Sequence, residues 1–166
     1  GHPLDHFSFE LKHYNITHLN VFNGIKEAAV QTDLNKKFRL AGLITDAKHR
    51  ITKKGKNYGV FLLEDYTAQS EFMLWSEDYI RWKEYLDTGK TVLVDGIFKE
   101  RFNSGQIEFK INHICLLESA KNLFTQKMVL NIEAHCIKKE HIDFLQSNLK
   151  NNPGATPLQF HIYELN

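Results

Sequence analysis

The side chains best suited to chemistry are basic, and they cluster in one stretch of the chain. Between Lys36 and Lys56 there are eight lysine or arginine residues and one acidic residue, Asp46, so this stretch carries a formal charge of +7. The whole 166-residue chain carries +1. Concentrated positive charge on a nearly neutral chain can bind a polyanion at one face. Lysines also protect exposed strand edges from aggregation, and charge alone leaves both interpretations open.

Residues for covalent or metal chemistry lack the necessary pattern. The sequence contains neither a G-x-S-x-G nucleophile motif nor a G-x-x-x-x-G-K-[ST] phosphate loop. His2 and His6 are four residues apart, and a second group lies around His135, Cys136 and His141. Neither group has the spaced ligand pairs of a structural zinc site. We therefore predict no catalytic residue, no metal site and no cofactor.

The composition predicts a folded protein of one domain, or of one domain with additional segments. Hydrophobic residues make up 42% of the chain and charged residues 25%, which is typical of soluble globular proteins. No apolar run approaches the roughly 20 residues of a membrane-spanning helix, so no membrane partner is predicted. Cys115 and Cys136 lie in segments predicted to be buried strands. We expect both to be free thiols in a reducing cytoplasm.

The elements that position the basic stretch are three strands, one helix and two further strands. Alternating and β-branched residues predict the strands, and an aromatic face predicts the helix. Gly55 can supply positive φ in the basic turn after the first strand. This order is that of a five-stranded OB barrel, in which Gly42 and Gly96 mark kinks or bulges. The competing interpretation is another small α+β domain. The predicted strands cover residues 38–51, 58–65, 70–75, 91–100 and 106–117.

An OB barrel binds on the face of strands two and three, between the loops that join strands one to two and four to five. Single-stranded nucleic acid needs cations for its phosphates and flat side chains for its bases. We predict that Phe61, Leu63 and Asp65 face the core. The side chains left on the binding face are Tyr58, Val60, Leu62 and Glu64. Trp75 is the second stacking candidate, and the alternative is that both rings cap the barrel. The predicted nucleic-acid-binding residues are Arg50, Lys53, Lys54, Lys56, Tyr58, Trp75, Lys99, Arg101 and Phe102.

Further segments flank the predicted barrel. Apolar residues recur at helical spacing from Leu4 to Tyr14, whereas residues 15–34 are less periodic and contain a turn at Asn23-Gly24. After the barrel, a short helical connector leads into a strand–helix–strand unit that should pair in parallel. We predict a helical connector segment at 1–35, an OB-fold domain at 36–118, and a small βαβ unit at 119–166 that starts a C-terminal domain.

Several of these segments together resemble the bacterial replicative DNA polymerase III alpha subunit. They are GHPLDHF at 1–7, the run at 41–79 and VLVDGIF at 92–98. In that family a G-H-P-[LI] segment leads into an OB domain with a T-K-[KR]-G loop and an L-[ED]-D strand end. Residues 52–55 (TKKG) and 63–65 (LED) match these positions, and NPG at 152–154 resembles the start of the family's C-terminal domain. The resemblance covers nearly the whole chain.

The resemblance implies a role in DNA replication in the bacterial cytoplasm, associated with the nucleoid. The OB domain would contact the single-stranded template ahead of the active site, with other domains of the alpha subunit as its neighbours. The family's C-terminal domain is associated with the tau subunit of the clamp loader. The polymerase carboxylates belong to other parts of that subunit. This chain is therefore predicted to be a non-catalytic fragment of a DNA-directed DNA polymerase, a nucleotidyltransferase.

Two other functions fit the same strands. The first is an RNA-binding OB module of the anticodon-binding type found in class II aminoacyl-tRNA synthetases, whose second strand also ends in an acidic pair. The second is a protein-interaction OB domain in which the lysines are merely solvated. A preference for RNA would favour the first, and absent or salt-insensitive nucleic-acid binding would favour the second.

Overall fold

The computed structural model describes residues 1–29, 31–101 and 104–164. The chain divides into two compact units, Gly1–Lys121 and Asn122–Asn166. Among the helices within the described ranges, none has the length and apolar character needed to cross a bilayer.

The first unit is built on five antiparallel strands, which are β1 (Lys37–Ile51), β2 (Asn57–Glu64), β3 (Gln69–Trp75), β4 (Thr91–Glu100) and β5 (Ile107–Leu116). Their order in the sheet is β3-β2-β1-β4-β5. The long first strand pairs through its first half with β4 and through its second half with β2. Helix α3 (Ser76–Trp82) follows β3 and contacts β2, β3 and β5. This arrangement confirms the predicted OB fold with a helix between its third and fourth strands.

Strand β1 changes partners at Gly42 and Leu43. Gly42 pairs with Val92 of β4, and Leu43 is the first residue to pair with β2. A β-carbon on Gly42 would lie 2.5 Å from the backbone oxygen of Glu64, so the two strands can approach this closely only at glycine. A register shift follows at once, between Ile44 and Asp46. The glycine and the bulge together let one strand serve both halves of the sheet, and the sequence predicted an irregularity at Gly42.

Helix α2 (Leu19–Glu27) covers the core of this unit. Leu19 and Phe22 are fully buried with strand residues such as Phe61 and Leu63. The Phe22 ring lies 4.8 Å from that of Phe109 on β5, measured between ring centroids. The N-terminal segment therefore contributes directly to the barrel core.

This helix corrects the sequence prediction for residues 15–34. We expected a turn at Asn23-Gly24, but both residues lie inside α2. Burial of Leu19 and Phe22 outweighs the poor helix propensity of asparagine and glycine. The preceding segment is also less regular than predicted, since a 3-10 helix at Pro3–Phe7 comes before the short helix α1 (Ser8–His13).

The second unit is the predicted βαβ arrangement. Strands β6 (Met128–Glu133) and β7 (Leu158–Tyr163) pair in parallel, and helix α5 (Lys139–Asn151) connects them. Helix α4 (Leu117–Phe124) is the connector between barrel and βαβ unit. Both cysteines are free, and Cys115 is buried on β5. Cys136 is exposed in a 3-10 turn after β6, so its predicted burial in a strand is wrong.

Candidate nucleic-acid interface

The lysine turn, residues 52–56, is a closed β-hairpin loop. The backbone N–H of Thr52 donates to the carbonyl of Lys56 at 2.8 Å, and the N–H of Gly55 donates to the carbonyl of Thr52 at 2.9 Å. The Thr52 hydroxyl accepts from the Lys56 N–H at 3.0 Å. Gly55 has a φ of 75°, which confirms the positive φ predicted for this glycine. These bonds fix the backbone while Lys53, Lys54 and Lys56 remain exposed. The turn thus presents three ammonium groups on a defined frame.

Tyr58 and Trp75 form an aromatic pair beside this turn. They are register partners across the β2–β3 ladder, and their ring centroids lie 4.7 Å apart at an interplanar angle of 21°. Trp75 remains 48% exposed. Each ring therefore covers one face of the other, and a nucleic-acid base can extend the stack on an outer face.

The predicted binding face is ordered in three rungs, or rows of register partners, that run across β1, β2 and β3. Register pairing puts Arg50 beside Tyr58 and Tyr58 beside Trp75, which we call the basic–aromatic rung. The other two rungs follow at intervals of two residues, so their side chains emerge on the same face. The middle rung is Lys48, Val60 and Met73, and the acidic rung is Asp46, Leu62 and Glu71.

Charge changes sign along this face. At the acidic end, Asp46 accepts from the Lys48 ammonium at 2.8 Å, and this contact holds the pKa of Asp46 below its usual value. The lysine turn adjoins the opposite, basic–aromatic end. A shallow concavity of about 290 Å³ spans the face. A polyanion is therefore attracted to the Arg50 end and repelled at the Glu71 end.

Burial along β2 follows the predicted alternation. Phe61, Leu63 and Asp65 are buried, as expected, whereas Tyr58 and Leu62 are partly exposed. Because side chains alternate between faces, a single register of β2 predicted which of its side chains face the core and which face solvent.

A cleft of about 580 Å³ separates β3 from β5, the two strands at the ends of the sheet order. Trp75 and Arg101 both line it, so the structure brings these two predicted residues together. Lys99 is exposed on β4 but does not line this cleft. Phe102 lies outside the described residues.

The cleft also contains cations that sequence reasoning missed. Lys26 of α2 donates to the backbone carbonyl of Glu71 at 2.8 Å, and its ammonium lies 5.1 Å from the Phe72 ring centroid. Burial lowers the pKa of Lys26, although the Glu71 carboxylate opposes this effect. Lys110 lies on the β5 side, 3.9 Å from Asp78. Nothing in the sequence indicated that Lys26 lies in this cleft, because its helix was not predicted. Lys110 could have been predicted, because alternation along β5 places it on the exposed face of that strand.

Asp65, directly after β2, has a structural role. Its carboxylate accepts from the backbone N–H of Leu19 at 2.8 Å, and thereby caps α2 from a position 46 residues later. It also accepts from the Thr67 N–H and hydroxyl, both at 2.7 Å, and from the Ala68 N–H at 3.0 Å. Burial by itself would raise the pKa of Asp65, but these hydrogen bonds outweigh it and the pKa is lowered.

Comparison with known proteins agrees with the observed fold. The sequence profile of the OB-fold nucleic acid binding domain matches residues 38–117. The DNA polymerase III subunit alpha of Vibrio cholerae is 30% identical over 97% of this chain, and that of Escherichia coli K12 is 20% identical over 98%. This chain spans 13% of the length of either relative. A solved SSB domain from a Synechococcus species covers 49% of the chain with 14% identity and a TM-score of 0.35, too distant to bear on function. The chain is homologous to one segment of those alpha subunits, which confirms the resemblance found in its motifs.

Proposed function

We propose that this chain, an OB-fold segment homologous to part of the DNA polymerase III alpha subunit, holds single-stranded template DNA and does not itself catalyse polymerisation. The observation that carries the proposal is the basic–aromatic rung. Arg50, Tyr58 and Trp75 lie side by side at the end of the face that adjoins the lysine turn. Positive charge next to a flat aromatic surface is the requirement for holding a single strand.

In the proposed complex the lysine turn and Arg50 contact phosphates, while one base stacks on the Tyr58–Trp75 pair. The strand then continues towards Arg101, which lines the same cleft as Trp75. Val60 and Met73 of the middle rung offer apolar contacts to a base or sugar. The carboxylates of the acidic rung keep phosphates away from the far end of the face.

Two carboxylates near this face already have partners within the protein, which supports the proposal that the chain does not catalyse polymerisation. Asp65 is saturated with hydrogen bonds in a buried position, and Asp46 is paired with Lys48. Two-metal phosphoryl chemistry needs carboxylates converging on ions about 4 Å apart. In a primer-extension assay with Mg²⁺ and nucleoside triphosphates, this chain alone should incorporate no nucleotide, and detectable incorporation would contradict the proposal.

The binding test is fluorescence anisotropy of a labelled oligothymidine titrated with the chain at 50 and 200 mM salt. If about three phosphates are contacted, the single-strand salt slope predicts that Kd rises roughly 15- to 20-fold over this range. The variant Lys53→Glu/Lys54→Glu should lose binding at both salt concentrations. The matched control is Lys138→Glu/Lys139→Glu, which makes the same charge change on an adjacent, exposed lysine pair of the second unit.

Labelled oligouridine in the same assay separates the DNA interpretation from the RNA one. Tighter binding of oligouridine than of oligothymidine would favour the anticodon-type module. Absence of binding at 50 mM salt by protein with a cooperative unfolding transition would favour the protein-interaction domain. Loss of binding in both lysine-pair variants alike would mean that net charge, and not the binding face, is responsible.

The same proposal extends to the parent protein. We assign residues 36–118 as the nucleic-acid-binding domain and residues 119–166 as the start of a C-terminal domain. Residues 1–35 connect to other domains of a bacterial cytoplasmic polymerase, and their helix α2 also completes the barrel core. Following the resemblance, we place contact with the tau subunit of the clamp loader in this last segment. Purified tau should bind the full alpha subunit less well when residues 119–166 are deleted, and unchanged binding would remove that assignment.

A further inference from the structure

A cluster of possible metal ligands lies where β6 ends. Glu133 is the last residue of β6, and the 3-10 turn Ala134–Cys136 follows directly. The N–H of Ile137 donates to the carbonyl of Ala134 at 3.2 Å and closes this turn. As a result, the ligand atoms of Glu133, His135 and Cys136 lie within 4.8 Å of one another.

The two nitrogens of His135 have different partners. Nδ1 lies 2.9 Å from Oε1 of Glu133, and Nε2 lies 3.5 Å from Sγ of Cys136. A carboxylate that accepts from Nδ1–H fixes the tautomer in which the Nε2 lone pair is available. In that tautomer the lone pair of His135 lies next to the Cys136 sulfur, which is the relation of two ligands to one metal ion.

We propose that this cluster binds a thiophilic divalent transition-metal ion, with Zn²⁺ as the first candidate. Cys136 Sγ and His135 Nε2 are the ligands, and the Glu133 carboxylate orients the imidazole. Zn–S and Zn–N bonds of about 2.3 and 2.0–2.1 Å at a tetrahedral angle place sulfur and nitrogen roughly 3.5 Å apart. The separation in this protein is 3.5 Å, so both ligands can reach one ion with little rearrangement. Water completes the coordination, and the thiol loses its proton on binding.

The two proposed ligands are exposed to solvent, whereas the carboxylate that orients the imidazole is largely covered. The side chain of His135 is 71% exposed and Cys136 is exposed, so an ion reaches both without opening the fold. The Glu133 side chain is only 19% exposed, which restrains the carboxylate that holds the ring. This proposal revises the prediction of no metal site. That prediction rested on the lack of the spaced ligand pairs of a closed structural zinc site, whereas the proposed site is open and lies on the surface.

The reactivity of the Cys136 thiol gives a direct test. Cys115 is buried and burial raises the pKa of its thiol to about 11, so Cys136 is the fast-reacting cysteine of the folded chain. We would measure its rate of reaction with a disulfide reagent in the full chain, with either EDTA or a series of Zn²⁺ concentrations present. Saturating Zn²⁺ should slow the reaction at least tenfold, and the titration gives an apparent Kd.

Three variants decide whether the cluster, rather than a lone thiolate, binds the ion. His135→Gln should abolish protection, and Glu133→Gln should weaken the apparent Kd about 10- to 100-fold, as expected for a lost orienting carboxylate. His161→Gln, at a histidine on β7, is the matched control and should keep full protection. The proposal is wrong if Zn²⁺ gives no protection to the wild-type chain, or if His135→Gln is protected equally well.

Discussion

Tyr58 and Trp75 stack across the β2–β3 ladder with ring centroids 4.7 Å apart, and Arg50 is the register partner of Tyr58 on β1. This relationship joins a cation to a flat surface at one end of the binding face. Neither ring is buried in the core, so the pair is a surface feature.

Removing either ring should weaken DNA binding. Trp75→Ala or Tyr58→Ala removes the surface on which a base stacks, and we expect a loss of about 1–3 kcal/mol, or roughly 5- to 150-fold in Kd. The measurement is anisotropy with oligothymidine at 50 mM salt. Tyr163→Ala is the matched control, because Tyr163 is 45% exposed on β7 and lies outside the proposed face. Unchanged affinity in both ring variants would exclude stacking at this site.

Neutralising the acidic rung should strengthen DNA binding. Glu71→Gln removes a negative charge from the face, and we expect binding to tighten roughly two- to fivefold, or about 0.5–1 kcal/mol. Since the charge acts through solvent, the gain should shrink between 50 and 200 mM salt. Glu140→Gln, at a side chain 72% exposed on α5, provides the comparison. Equal gains in the two variants would mean that only net charge matters.

Asp65 should stabilise the fold through its cap on α2, and this contribution should depend on pH. Asp65→Asn loses charge-assisted acceptors for Leu19 and Thr67, and should lower the free energy of unfolding by about 1–3 kcal/mol at pH 7. Because folding lowers the pKa of Asp65, its contribution is fully present above the unfolded-chain pKa of about 3.9 and disappears as pH falls through the folded pKa.

Urea unfolding of wild type and Asp65→Asn at pH 7 and at pH 3 measures both effects. The difference between the two proteins should be smaller at pH 3. Asp143→Asn, at an exposed position of α5, should behave like wild type at either pH. A difference that is independent of pH would show that Asp65 acts through its shape alone.

Two glycines should respond oppositely to alanine. At Gly42 the new methyl group would meet the backbone of Glu64 at 2.5 Å, so Gly42→Ala should destabilise the barrel by about 1–3 kcal/mol or more. At Gly24, inside α2, nothing lies within 4 Å of the added carbon. Gly24→Ala should therefore stabilise the protein by about 0.5–1 kcal/mol through helix propensity. Thermal unfolding of both variants tests this, and a stable Gly42→Ala would contradict the close approach of β1 and β2.

Local patterns in the sequence determined the strands, their order and the lysine turn. Alternation along β2 predicted that Phe61 and Leu63 face the core and that Tyr58 faces solvent, because side chains of a strand alternate strictly between its two faces. Gly42 and Gly96 also marked the strand irregularities in the sequence, although the reason for glycine there is tertiary, since a side chain would collide with a neighbouring strand. The DNA polymerase III motifs could likewise be read from short segments and their spacing.

Only the tertiary structure decided how residues distant in sequence meet. Helix α2 forms through Asn23-Gly24 because its apolar face is buried and because Asp65, on another element, caps Leu19. The Tyr58–Trp75 stack depends on the register between two strands, and a shift of one residue would separate the rings. Lys26 enters the cleft with a helix that local propensity disfavours. In each case the arrangement is stabilised by contacts between residues far apart in the sequence. Helix propensity and hydrophobic periodicity describe only neighbouring residues, so they cannot predict such contacts.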